Sequence, residues 1–137
     1  MAVDEQILTD RILEAENLTD ELEDDAATPL LKWGTGQVGR LVRNVEDEEL
    51  AGGRINALMA VMRQINRLVG RGPNSPDELT AGLGQLIELY ARAFGASRSA
   101  TAAELEAAAG VLAQSSRPQA VGFILEWLAQ PEKGQNL

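Results

Sequence analysis

RINALMAVMRQINRLV, residues 54–69, decides the fold. Wound at about 100° per residue, it places Ile55, Leu58, Met59, Val61, Met62, Ile65, Leu68 and Val69 on one side. Asn56, Arg63, Gln64 and Arg67 fall on the other. An apolar arc covering about half the circumference is wider than a helix lying on a surface needs, so the stretch predicts a central helix with several others packed against it. Hydrophobic residues make up 45% of the 137 and aromatics 4%, so the core is built from Leu, Ile, Val, Met and Ala. Straight-chain residues and Ala lose little rotamer freedom in a helix. The expectation is an all-α single domain, a compact bundle of five or six helices around the one at about 54–69. An acidic segment (1–25) precedes the bundle (26–130), and a polar tail (131–137) follows it.

Downstream of Val69, GRGPNSPD is a loop, and Ser75-Pro76-Asp77-Glu78 is a capping box with proline at the first helical position. The helix it opens runs to about Phe94, with Leu79, Leu83, Leu86, Ile87, Tyr90 and Phe94 on one face and Gly95 as its stop. Thr101-Ala102-Ala103-Glu104 is a second capping box, starting an Ala-rich helix that carries Leu105, Ala108, Val111 and Leu112. The loop SSRP ends it, and a last helix covers about 119–129. There Val121, Phe123, Ile124, Leu125, Trp127 and Leu128 spread over more than half the circumference. Such a helix is buried on most sides within the fold or partly against another chain, which makes Phe123, Trp127 and Leu128, with Trp33, candidates for an apolar contact.

Upstream, Ile7, Leu8, Ile12 and Leu13 predict a short helix over about 4–16. A second, capped by Asn17 or Thr19, would carry Leu18, Leu22 and Ala26. Thr28 followed by Pro29 reads as a further helix start, with an apolar pattern continuing to about Asn44; Val45–Gly53 reads as a turn or frayed entry to the central helix. Gly34-Thr35-Gly36-Gln37-Val38-Gly39 is a literal G-x-G-x-x-G, the phosphate-cradling fingerprint of dinucleotide-binding folds. That chemistry needs a buried strand before the first glycine and an acid about 20 residues on. The residues ahead of Gly34 are too short and interrupted for a strand, and Arg54 stands where the acid belongs. The structural reading is that these glycines break a helix or let a neighbouring one approach closely.

No histidine and no cysteine occur, which removes the usual imidazole base, the commonest metal ligand, thiolate nucleophiles and disulfides. No cofactor motif survives a check of its context. The amino terminus is acidic where a signal peptide is basic, and no apolar run approaches membrane-spanning length, so a soluble cytoplasmic protein is expected.

The net charge of −9 is unevenly spread. Residues 1–25 hold ten acids and one base, while residues 32–71 hold seven bases (Lys32, Arg40, Arg43, Arg54, Arg63, Arg67, Arg71) and four acids, Glu46, Asp47, Glu48 and Glu49. Arg63, Arg67 and Arg71 recur every four residues and form a candidate phosphate-facing stripe, although the acidic balance and sparse aromatics count against nucleic acid. A linked expectation is that the acidic head covers this stripe and competes with an anionic partner, so that deleting residues 1–25 uncovers salt-sensitive binding to nucleic acid.

Carboxylates are the other source of chemistry. Glu21-x-x-Asp24 and Glu46-x-x-Glu49 each set two acids one helical turn apart, a spacing able to hold Mg²⁺ between helices. The pairing resembles that of the all-α nucleotide pyrophosphohydrolases, in which an ExxE precedes an ExxD. Here the order is reversed, and that family's basic and aromatic residues have no counterparts that can be placed, so no membership is drawn. The leading expectation is a non-enzymatic interaction or assembly module, a homodimer or a subunit of a larger assembly. Its contact residues are Trp33, Phe123, Trp127 and Leu128, with Arg63, Arg67 and Arg71 setting orientation. The alternatives are a Mg²⁺-dependent hydrolase of a phosphorylated small molecule and a head-regulated binder of an anionic partner or nucleic acid.

Overall fold

The computed structural model describes residues 4–15, 24–70, 75–95 and 99–129, and among these all regular structure is helical. The segments are α1 (Glu5–Leu13), α2 (Asp24–Gly36), α3 (Val38–Val42), α4 (Glu48–Gly70), α5 (Pro76–Phe94), α6 (Ala102–Gln114) and α7 (Arg117–Ala129). α2 and α3 are one helix interrupted at Gln37, so the described residues form a bundle of six.

α4 carries the expected face. Ile55, Leu58, Met59, Val61, Met62, Ile65, Leu68 and Val69 are all buried, and α1, α2, α3, α5 and α7 pack against the helix. It begins six residues ahead of Arg54, so of the turn or frayed entry read over Val45–Gly53 only residues 45–47 lie outside the helix. Asp47 is the reason: its Oδ1 accepts from the backbone N–H of Glu49 (2.9 Å) and of Leu50 (3.4 Å), and Glu48 and Glu49 supply first-turn acids that the helix dipole favours. Gly52 and Gly53 are carried inside the helix at the propensity cost of two glycines, roughly 1 kcal/mol each.

The helix expected to start at Thr28-Pro29 starts instead at Asp24, with Pro29 inside it. The lost N–H bond and the ring clash are tolerated because Ala26, Ala27 and Leu30 are all buried, so packing on both sides of the proline holds the turn. The helix proposed to start at Asn17 or Thr19 lies outside the described residues. At both expected capping boxes the N-cap bond is made: Ser75 Oγ accepts from Glu78 N–H (3.2 Å) and Thr101 Oγ1 from Glu104 N–H (3.1 Å). Gly95, at φ 63°, closes α5 by donating its N–H to the Ala91 carbonyl. On α6, Ala109 is buried in place of Val111, which is exposed.

A third box lies in the SSRP segment expected to be a loop. Ser116 Oγ accepts from Gln119 N–H (3.4 Å) while Gln119 Oε1 accepts from Ser116 N–H (3.1 Å), so S-R-P-Q starts α7 two residues before the expected position. Ser116→Ala should therefore cost about 1 kcal/mol, a drop of roughly 4 °C in Tm, with Ser116→Asp near neutral because it keeps the acceptor; paired thermal melts read this directly.

Two glycines set the spacing of the bundle. A Cβ on Gly82 would lie 2.5 Å from Leu68 Cδ2 and 3.3 Å from Gln64 Nε2, so a side chain there would have to displace the Leu68 side chain of α4. On α2, a Cβ on Gly34 would lie 2.5 Å from Met62 Cε. α7 packs on α2, α4 and α6, burying Ala120, Val121, Ile124, Trp127 and Leu128. No described helix is long and apolar enough to cross a membrane.

Candidate anion-binding face

Gln64, expected on the polar side of the central helix, is only 4% exposed. The close approach at Gly82 accounts for this, because it leaves the Gly82 carbonyl within reach of a side chain from α4. Gln64 Nε2 donates to that carbonyl (3.0 Å) and to Gln85 Oε1 (3.3 Å), and its Oε1 accepts from Arg67 Nη1 (3.2 Å). A buried amide satisfied on both ends is rigid, and it holds the Arg67 guanidinium at the mouth of the α4–α5 seam.

Along that seam lies a hollow of about 300 Å³. Arg63, Arg67 and Arg92 line it with the amides of Gln64 and Gln85; Ala60 and Leu89 are its apolar lining, and Glu88 is its one acid. A second hollow of about 270 Å³ shares Arg92 and adds Arg40, Arg54, Leu41 and the Phe94–Gly95 end of α5, with no carboxylate among its lining residues. Two of the arginines there are held from behind. Arg54 Nη1 donates to the Leu41 carbonyl (2.7 Å), and the Arg40 guanidinium stacks 4.9 Å from the centroid of the Phe94 ring. Phe94 is braced in turn by Tyr90 (centroids 4.6 Å apart) and Trp33 (6.1 Å).

The described residues include nine bases, and five of them line these two adjoining hollows beside a single acid. Arginines that merely solvate helices are spread over the surface and interleaved with acids, so segregation of this degree marks a positive face on an acidic chain. Arg54 and Arg67 are 13 residues apart on one helix, an axial separation of about 20 Å, and Arg92 of α5 lines both hollows.

The other candidates fall elsewhere. Trp127 and Leu128 are in the core, Phe123 is partly buried, and Trp33 braces Phe94 rather than facing solvent alone. Arg71 and Glu21 lie outside the described residues, as does the Asp24 side chain. Glu46 precedes the Asp47 cap and Glu49 follows it, so the two are not one helical turn apart, which corrects their pairing; both are exposed. Among the described residues no three acids gather into a metal-holding cluster. Asp4, Glu5 and Asp10 sit on or beside α1, which packs on α2, α3 and α4 and is fastened by Arg11 Nη2 donating to Asn56 Oδ1; none of these acids lines either hollow. Leu8 and Ile12 of α1 are buried, so deleting residues 1–25 removes part of the core, and neutralising Glu16, Asp20, Glu21 and Glu23 is the sounder test of the head.

Arg40, Arg54 and Arg92 carried no signal as a group, because they come from three helices that only the tertiary fold brings together. Comparison of the chain with protein-family models, curated proteins and solved structures gives no match in any of the three.

Proposed function

We propose that the chain is a non-enzymatic interaction module that takes an anionic polypeptide along the arginine row of α4 and α5. The observation that carries this is the meeting of Arg40, Arg54, Arg63, Arg67 and Arg92 on two adjoining hollows lined by one acid. Both hollows are at or below the ~300–1,000 Å³ typical of enclosing small-molecule sites, which favours a surface-bound segment over a buried substrate. The overall charge of −9 repels a long polyanion such as nucleic acid at distance, while a short acidic segment meets chiefly the local positive field.

Fluorescence anisotropy with a labelled eight-residue glutamate-rich peptide tests the reading. Binding at 50 mM salt should weaken about tenfold by 200 mM and vanish in Arg63→Glu/Arg67→Glu, at two exposed sites, with a thermal melt separating lost binding from the lost Arg67–Gln64 bond. A peptide that fails to bind at 50 mM salt, or that binds the double variant as well as the native chain, overturns it. Preference for a single-stranded oligonucleotide of equal charge would move the assignment to nucleic acid.

A further inference from the structure

The two hollows differ in a way that names the partner more closely, given the reading of this face as an anion-binding surface. From this difference we infer that the hollow of Arg40, Arg54 and Arg92 receives the phosphate of a phosphorylated side chain, while the adjoining hollow of Arg63, Arg67, Gln64 and Gln85 takes the flanking residues of the same peptide.

The first hollow has three guanidinium groups and no carboxylate. A side-chain carboxylate carries one charge and is satisfied by one bidentate arginine, leaving the charge of the other two uncompensated. A phosphate monoester carries about −1.5 to −2 and three acceptor oxygens, which matches in charge and number three guanidinium groups carried by three helices. The carbonyl end of α5 opposes any anion with a partial negative charge, and a dianion more than a monoanion, so the three guanidinium groups have to outweigh it. Preorganisation is already in place: the Leu41 carbonyl holds Arg54, and the Phe94 ring, backed by Tyr90 and Trp33, supports Arg40. Because these groups are held before the ligand arrives, less side-chain entropy is lost on binding.

The second hollow is lined for something else. Two amides, an apolar strip of Ala60 and Leu89, and charges of both signs make a surface suited to a peptide backbone with mixed side chains, and poorly suited to a second phosphate beside Glu88. Arg92 belongs to both hollows, so the phosphorylated residue and its neighbours are read as one continuous segment.

The test uses the full-length protein and bead-bound nine-residue peptides, degenerate except for a central phosphorylated Ser, Thr or Tyr, with the unphosphorylated library as twin. The phosphorylated library should retain at least tenfold more protein. Arg40→Gln/Arg92→Gln, at two exposed positions, should reduce that preference to under threefold with an unchanged thermal melt. Equal retention on the two libraries, or a preference that survives the double variant, overturns the phosphate assignment while leaving binding of the glutamate-rich peptide intact. Release of the bound protein by inorganic phosphate at concentrations below those of the peptide also overturns it, since the flanking contacts would then contribute nothing. Failure of every anionic probe overturns the underlying reading as well.

Discussion

Trp127→Ala should lower the stability of the chain by about 3–5 kcal/mol, and the loss should be the same at every protein concentration. The ring is 7% exposed and belongs to the face of α7, with Val121, Ile124 and Leu128, that packs inside the bundle. Truncating it removes the transfer free energy of a large aromatic and leaves a cavity that rigid helices close only in part. A domain of this size has roughly 5–15 kcal/mol in total, so the variant stands near the edge of folding. Urea titrations at two concentrations a hundredfold apart separate the possibilities. If Trp127 were an anchor between subunits, the midpoint of the native chain would rise with concentration and that of the variant would not. Coincident native midpoints and a shifted variant fit the core; a native midpoint that rises with concentration while the variant's does not would return Trp127 to an interface.

Such a result would explain why α7 was ambiguous in the sequence. Its apolar residues cover more than half the circumference, a pattern equally suited to a buried helix and to one shared between chains, and periodicity alone cannot say what fills the surrounding space. The residues of α4 and α5 were legible because each has one apolar face and one polar face, with caps at Ser75 and Gly95 set by local geometry. Boundaries slipped where local rules competed. Pro29 at a plausible first helical position lost to the burial of Ala26 and Ala27 on the far side of it, and Gly52-Gly53 lost to the Asp47 cap and its two following acids. The arginine face was half legible. Arg63 and Arg67 share one stripe of one helix, whereas Arg40, Arg54 and Arg92 meet only after α3, α4 and α5 have packed. Gln64 was placed on the wrong side of burial because its partner is a carbonyl bared by a glycine on another helix.

Gly34→Val should cost about 1–3 kcal/mol, and Met62→Ala about 2–5 kcal/mol, yet the two together should cost less than their sum by about 0.5–3 kcal/mol. Two roles are open to Gly34 in its GTGQVG segment. One is local: the helix breaks just beyond it, where Gln37 N–H turns back to the Gly34 carbonyl (3.1 Å) in a tighter, three-residue bond. The other is a crossing, in which the missing side chain gives room to Met62 of α4. The geometry favours the crossing. Gly34 has an ordinary negative φ, so no backbone conformation demands glycine there, and Met62 is fully buried and cannot swing into solvent when a methyl group arrives. Shortening Met62 opens the volume that valine at position 34 would fill, so each change relieves the other's defect. Equilibrium unfolding of the four proteins gives the coupling. Strict additivity would mean that Met62 moves aside without cost, leaving the break at Gln37 as the work of Gly34; a coupling of the expected size assigns the glycine to the packing of α2 on α4.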